Sequence, residues 1–323
     1  GYGNCDLFYS RKVGDEWSVP VNIGPEINSS AWESQPSLSA DGRILYFISD
    51  RRDGVGGRDI FFSRKMDDGK WSPAENMGQP INTPFDEISP FIHVNGRTLF
   101  YASNGKPGFG GFDIFKTELN DGKWDMPVNF GSPVNDHEDQ FSLFISADGT
   151  RGYYSHEDGT RENSARLYEM TIPKELQIAY RSNFVKGIVK DKKSGQPLQS
   201  RVELFDLKND ELISVVESDS VTGQYLMVLT TGSEYALYVT APDYLFQSLN
   251  FNYEDNLNPE PVVIDILLDK TDAGATAVLN NIFFDFDKYE LKERSLTELN
   301  KVIRFLKDKP SIRVEIGGHT DSD

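Results

Sequence analysis

Three tryptophans set the first constraint on this chain. Trp17, Trp71 and Trp124 stand 54 and 53 residues apart, and Gly42, Gly96 and Gly149 keep the same two intervals. Asp6, Asp59 and Asp113 each precede an apolar-aromatic pair, Leu7-Phe8, Ile60-Phe61 and Ile114-Phe115. Segments 33–82 and 86–135 match along their length. Self-similarity at such a period means that one supersecondary unit is being stacked, because a single copy cannot bury its own apolar faces. A fourth copy is eroded, with Arg166 where the aspartate would stand.

Each unit reads as four short strands. QPSLSA runs into an Asp-Gly or Asn-Gly turn, and RILYFISD or RTLFYASN follows. A Gly-rich loop leads to RDIFFSRK or FDIFKTEL, and DDGKW or NDGKW turns the chain into a fourth strand. Asp-Gly and Asn-Gly between apolar runs favour tight hairpins, since both central residues take φ above zero. Four strands repeating at this interval point to a β-propeller blade. The units resemble the PD40 (WD40-like, TolB-type) repeat, which carries the same DGxxLYFxSxR, GGxDIF and GxWxxP elements. Residues 1–10 match only the third strand of a blade, and a closed ring takes about four to eight blades. The propeller is therefore expected to be incomplete at its N-terminal side.

The repeat stops near Ser182. Segments FVKGIVKDKKSGQPLQSRVELFD, ISVVESDSVTGQYLMVL, YALYVTAPDY and PVVIDILL are divided by KKSGQP, SVTG and TTGS turns. Val262, Ile264, Ile266 and Leu268 alternate with Val263, Asp265, Leu267 and Asp269, a period of two. About seven strands in roughly 85 residues fit a small sandwich. GIVKDKKSGQPL, TGQY and APDY resemble the carboxypeptidase regulatory-like domain, a transthyretin-like sandwich that carries no chemistry of its own. Residues 271–281 form a small-residue linker.

Composition changes again at 282. NIFFDFDKYEL reads as a strand and turn. Ser295 with Glu298 has the spacing of a capping box. Leu296, Leu299, Ile303 and Leu306 form one apolar helix face, and Pro310 ends the helix. Ile312, Val314 and Ile316 alternate as a strand before GGHTDSD. FFDFDKYEL, the helix, KPSIRVEI and GGHTDSD in this order resemble the OmpA C-terminal, Pal-like peptidoglycan-binding domain. Asp287 and Asp321 are 34 residues apart, the separation of that family's FD and HTD aspartates. The resemblance implies a peptidoglycan-binding site at Phe286, Asp287, Thr320 and Asp321. Asp321 would pair with the ammonium of stem-peptide diaminopimelate, and the FD segment would line the pocket. The family's partner arginine belongs to a following helix and is expected beyond Asp323.

The expected fold class is thus mainly β and multidomain. An N-terminally incomplete propeller spans 1–181 and a sandwich 182–270. A linker spans 271–281, and the start of an α/β OmpA-like domain spans 282–323.

Other chemistries find little support. The formal net charge of −18 would repel a phosphate backbone, so nucleic acid is not an expected partner. No apolar run reaches the roughly 18 residues of a membrane helix. The single cysteine, Cys5, excludes an internal disulfide and reads as an ordinary strand residue rather than a lipid-anchor site. GxSxG, HExxH and HxxE are absent. The loop DGVGGRD lacks EF-hand spacing. His137-Glu138-Asp139 and His156-Glu157-Asp158 repeat a triplet of ligand-type residues, which reads as solvated polar loops rather than metal ligands. No catalytic residue, metal or cofactor is expected, and the chain is not expected to be an enzyme.

The module order resembles outer-membrane-associated periplasmic proteins of Bacteroidota, including lipoprotein components of the type IX secretion system. The resemblance implies a periplasmic scaffold at the outer membrane. Its expected partners are peptidoglycan and secretion subunits of PorP-like and PorD-like kind, with membrane attachment only through an upstream lipid anchor. Two rival readings stay open at this point. One is a general OmpA-family envelope-stability protein, the other a wall-anchored propeller that binds a glycan or peptide.

Overall fold

The computed structural model describes residues 1–66, 68–157, 165–178, 181–230, 233–253 and 260–318. It is mostly β, with one α-helix among the described residues. No described helix is long and apolar enough to cross a membrane.

The repeat folds as four successive antiparallel sheets. Sheet I pairs Phe8–Tyr9 with Val21–Asn22 and carries the hairpin Lys12–Val13/Glu16–Trp17. Sheet II runs Glu33–Leu38, Ile44–Ser49, Asp59–Arg64 and Glu75–Asn76 in neighbour order. Sheet III repeats it with Glu87–Ile92, Thr98–Ser103, Asp113–Asn120, Lys123–Trp124 and Val128–Asn129. Sheet IV holds Asp139–Ile145, Arg151–Glu157 and Ala165–Thr171. Gly42, Gly96 and Gly149 turn the first hairpin of sheets II, III and IV at φ of 69°, 67° and 71°, as the Asp-Gly and Asn-Gly pairs demand.

These sheets stack by both faces. Leu45, Phe47 and Phe61 of sheet II pack back onto Leu7 and Ile27. Tyr46, Ile48 and Ile60 pack forward onto Ile88, Leu99 and Tyr101 of sheet III. Phe100 and Ile114 then meet Leu143, Ile145 and Tyr154 of sheet IV. A strand covered on both sides needs apolar residues at every position, which is why ILYFIS and TLFYAS are unbroken runs rather than alternating ones.

Residues 182–268 form two four-stranded sheets around one core. Sheet V contains Ser182–Asp191 between Gln224–Thr230 and the short parallel strands Val262–Val263 and Ile266–Leu268. Sheet VI runs Glu211–Glu217, Arg201–Asp206, Glu234–Thr240 and Gln247–Asn252. Val185, Val189, Met227, Leu229, Ile266 and Leu268 face Val202, Leu204, Leu237 and Val239. The period-two reading of 262–268 holds, with a break at Ile264–Asp265. There Ile264 N donates to Lys186 O at 2.9 Å and Asp265 Oδ1 accepts from Ile188 N at 3.0 Å.

Helix α1, Leu296–Asp308, lies on the outer face of sheet VI. That face presents Phe205, Ala236 and Tyr238 and is also covered by Phe283. Two expectations fail here. Ser295 makes no side-chain cap. Its hydroxyl accepts from Phe283 N at 2.8 Å, and Glu298 is drawn away from the helix start into the sheet. Residues 312–316 form no strand and pair with none of the described strands.

Candidate functional site

The residues expected to bind the cell wall fall in two places. Phe286 is fully exposed, and Asp287 follows it at φ 56° on an exposed turn. A single bridge between Phe284 and Leu291 closes this turn, and Asp285 pairs with Lys292 at 2.7 Å. The turn therefore holds an aromatic ring and a carboxylate out to solvent. Thr320 and Asp321 lie outside the described residues, so no geometry relates them to Phe286 and Asp287.

What fixes this segment is a buried carboxylate. Glu298 is completely buried; it accepts from Ser248 Oγ and, at 2.9 Å, from Asn281 Nδ2. Lys301 pairs with Glu203 and stands 4.9 Å from the Phe205 ring. Burial raises the Glu203 carboxyl, and the Lys301 and Arg201 cations beside it bring it below the usual range. Phe305 packs on Phe246 at 5.6 Å. Helix α1 thus docks through Glu298, Lys301 and Phe305. The apolar face read from the sequence does not serve as the docking face, and Leu296 and Ile303 remain about half exposed.

In the repeat, the Gly-rich loops turn out to be filled by the protein itself. Asp59 is buried and accepts from Val55 N, from Gly56 N at 3.2 Å and from Asn76 Nδ2 at 3.0 Å. Asp6 and Asp113 do the same in their copies. The next sheet also supplies an acceptor. Arg58 N donates to Asp86 Oδ1 at 2.8 Å, and Phe112 N to Asp139 Oδ1 at 2.7 Å. These carboxylates hold backbone, Asp59 and Asp113 through Oδ2, while Asp59 Oδ1 and Asp113 Oδ1 are buried without a hydrogen-bond partner.

The two His-Glu-Asp triplets do not behave as independent solvated loops. Asp139 is used as just described. Glu138 and His156 converge, and Asp136 joins them; Asp136, Glu138 and His156 offer ligand atoms within 4.8 Å of one another. His137 stays exposed, 3.8 Å from Glu138. This correction follows from register. Asp139 pairs with Glu157 and Gln140 with His156 across sheet IV, which brings His156 and Glu157 beside the first triplet, while Asp158 lies outside the described residues.

No protein-family model matches this chain, and no curated protein matches it. Among solved structures, TolB from Acinetobacter baumannii is similar at 11% identity and a TM-score of 0.34, over 73% of this chain and 55% of that one. A putative TolB from Agrobacterium tumefaciens is similar at 13% identity and a TM-score of 0.33, over 69% of each. Catechol 1,2-dioxygenase from Acinetobacter radioresistens is similar at 13% identity and a TM-score of 0.24 over 30% of this chain. The chain spans about half the length of that dioxygenase, 54%. At such scores none of the three decides fold or function.

Sequence reasoning passed over one further set of residues. Gln35, Ser89 and Ser142 recur at 54 and 53 residues and all take positive φ, at 50°, 52° and 55°. Each marks a register shift in the first strand of its sheet. They touch in series: Ser89 N donates to Gln35 Oε1 at 2.5 Å, and Ser89 Oγ lies 3.2 Å from Ser142 Oγ. Pro36 and Pro90, inside runs otherwise read as strand, were the available clue, because proline within a sheet favours bulges.

Proposed function

We propose that this chain is a non-enzymatic scaffold of the periplasm, associated with the outer membrane, that ties a type IX secretion or gliding complex to peptidoglycan. Its module order resembles that of PorE, a lipoprotein of that secretion system. In this reading the repeat forms a PD40 propeller and 182–270 a carboxypeptidase regulatory-like sandwich, and both are protein-interaction surfaces. Residues 282–323 begin the OmpA-like wall anchor. Asp321 pairs with the diaminopimelate ammonium, and Phe286, Asp287 and Thr320 line the pocket. A zwitterionic head requires one anion and one cation held by turns rather than flexible ends.

The ordered succession of FFDFDKYEL, helix α1 and GGHTDSD carries this reading. Exposure of Phe286 and Asp287 on a closed turn is compatible with it. Co-sedimentation with purified peptidoglycan sacculi tests the anchor, using the natural protein and Asp321→Ala beside it. Pelleting of the wild type alone supports the anchor; absence of the wild type from the pellet overturns it. Affinity purification from envelope extracts then tests the secretion role. Recovery of PorP-like or PorD-like subunits supports it, and recovery of the wall alone returns the protein to general envelope stability.

A further inference from the structure

We infer that Asp136, Glu138 and His156 form a binding site for a divalent transition-metal cation of the zinc type. It belongs to the repeat and is independent of the wall-anchor reading.

The distances are long for hydrogen bonds and suit ligands of one ion. His156 Nε2 lies 3.3 Å from Asp136 Oδ2, 3.4 Å from Asp136 Oδ1, to which it makes a long hydrogen bond, and 3.4 Å from Glu138 Oε2. A charge-assisted hydrogen bond closes to about 2.7–2.9 Å. Two ligand atoms of a tetrahedral zinc, bonded at about 2.0–2.1 Å, stand about 3.3–3.4 Å apart. A single Nε2 hydrogen shared between two carboxylates makes only a long three-centre bond, whereas one cation can accept all three groups. One imidazole with two carboxylates suits zinc and its neighbours better than the all-oxygen sets of calcium or magnesium.

The ligands are held in place. Asp136 Oδ1 accepts from Glu138 N at 2.9 Å and Gln140 Nε2 at 2.6 Å, which fixes the carboxylate with both oxygens beside the imidazole, Oδ1 at 3.4 Å and Oδ2 at 3.3 Å. The His156 ring stands edge-on to Tyr168 at 5.4 Å and is largely buried. Gly110 presses on the ligand loop so closely that a Cβ there would lie 2.4 Å from Asp136 O. Gly111 N donates to Glu138 O at 3.2 Å. Asp136 remains partly open to solvent, which leaves an approach for the ion and a place for water as a fourth ligand.

Comparison within the repeat supplies an independent reason. In sheet II, Glu33 lies buried between the hydroxyls of Ser29 and Ser49, at 2.5 and 2.9 Å. In sheet III, Glu87 lies between Thr83 and Ser103, both at 2.7 Å. The same positions in sheet IV are Asp136, Gln140 and His156. Ala31 and Phe85 correspond to Glu138. The first two copies close their network with one carboxylate and two hydroxyls, and the first adds Arg51, whose guanidinium donates to Glu33 Oε1 at 3.1 Å. The third replaces the central carboxylate by an amide and places ligand-type side chains at both flanks and at 138. Asp136 answers the amide at 140 and caps Glu138 N as Ser29 caps Ala31 N, but nothing in the sister copies calls for an imidazole at 156 or a carboxylate at 138.

The sister copies also provide the variants for the test. Zinc binding to metal-stripped, untagged protein would be measured by isothermal titration calorimetry, with manganese and calcium in parallel. One zinc per chain is expected, with calcium failing to compete. His156→Ser, Glu138→Ala and Asp136→Ser, the residues of the first copy, should each weaken zinc about tenfold or more. Circular dichroism would check that the fold is retained. A zinc-dependent rise in melting temperature should be present in the wild type and lost in His156→Ser. Failure of the wild type to take up zinc would overturn the proposal. So would binding of equal stoichiometry and affinity in folded His156→Ser and Glu138→Ala, which would place the ion on another histidine.

Discussion

The two halves of the β structure bury their interiors in different ways. Sheets V and VI enclose a core of valine, leucine, isoleucine, methionine and tyrosine, and their polar groups sit at edges or on outer faces. Sheets I–IV are as apolar between faces, yet sheets II and III also bury carboxylates and an amide at fixed repeat positions, Glu33, Asp59 and Asn82 and then Glu87, Asp113 and Asn135. Asn82 is completely enclosed and answers both Ile60 N and Ile60 O, at 3.0 and 2.9 Å; Asn28 and Asn135 do the same for Leu7 and Ile114. In the sandwich-like half, position is set by shape and volume. In the repeat it is set by donors and acceptors that fit one partner only, and a buried group without its partner costs far more than the hydrogen bond itself contributes.

That contrast can be broken most directly by exchanging volume for polarity. Asn82→Leu is expected to leave the buried Ile60 N without its acceptor, at about 1–3 kcal/mol, while Ile60 O keeps Met77 N and Asn76 Oδ1 keeps Gly78 N. Leu237→Met, at an equally buried site in sheet VI, should cost less than about 1.5 kcal/mol. Urea unfolding of both variants makes the comparison, and equal losses would end it.

The helix gives a smaller and more local effect. Glu298→Ala should cost about 1–3 kcal/mol by leaving Asn281 Nδ2 and Ser248 Oγ without their acceptor. Amide exchange should then quicken along α1 while sheets V and VI stay protected. Unchanged protection in α1 would mean that Lys301 and Phe305 hold it unaided.

The smallest effect is a pH dependence at the seam between the halves. Gly14 N, from the first hairpin of the repeat, donates to Asp219 Oδ2 at 2.8 Å. That bond, with those from Thr222 and Val221 N, holds the Asp219 carboxyl down at about 2. Asp191 is held at about 2 chiefly by Ser194 N and the Tyr244 hydroxyl. Both folded values lie below the ordinary 3.8. Their stabilising contribution is therefore complete above about pH 4 and fades as pH falls through about 2. Melting temperatures measured between about pH 5 and pH 2 should decline, and Asp219→Asn should flatten part of that decline. An identical slope in the variant would show that the seam bond contributes nothing.

The sequence was legible where a pattern reports on its own neighbourhood. Tryptophan and glycine spacing marked the copies, Asp-Gly and Asn-Gly marked their hairpins, and alternation marked 262–268. It was misleading where a residue's partner is chosen by tertiary contact. Glu298 has the spacing of a capping box, but Ser248 and Asn281, distant in sequence, bind it more completely than a helix start would. The stripe from Leu296 to Leu306 predicts a buried face, but the sheet offers Glu203 and two aromatic rings, which suit Lys301. His156 and Glu138 are 18 residues apart and look unrelated until strand register pairs Gln140 with His156. Extending the repeat alignment beyond its landmarks, to 29/83/136 and 49/103/156, would have exposed that divergence without coordinates. Of the wall-binding residues the sequence pattern gave the positions, and the described structure places only Phe286 and Asp287.

The carboxylates of Asp86 and Asp139 have a practical consequence. Each stands before a sheet's first strand or at its start, but closes the Gly-rich loop of the sheet before it. A cut placed between two sheets, where the chain looks most divisible, would strip Arg58 N or Phe112 N of its acceptor, although Asp59 and Asp113 would still hold the amides earlier in each loop. Excision should therefore follow the loop rather than the sheet. The smallest portable piece of this repeat begins within one copy and ends past the aspartate of the next.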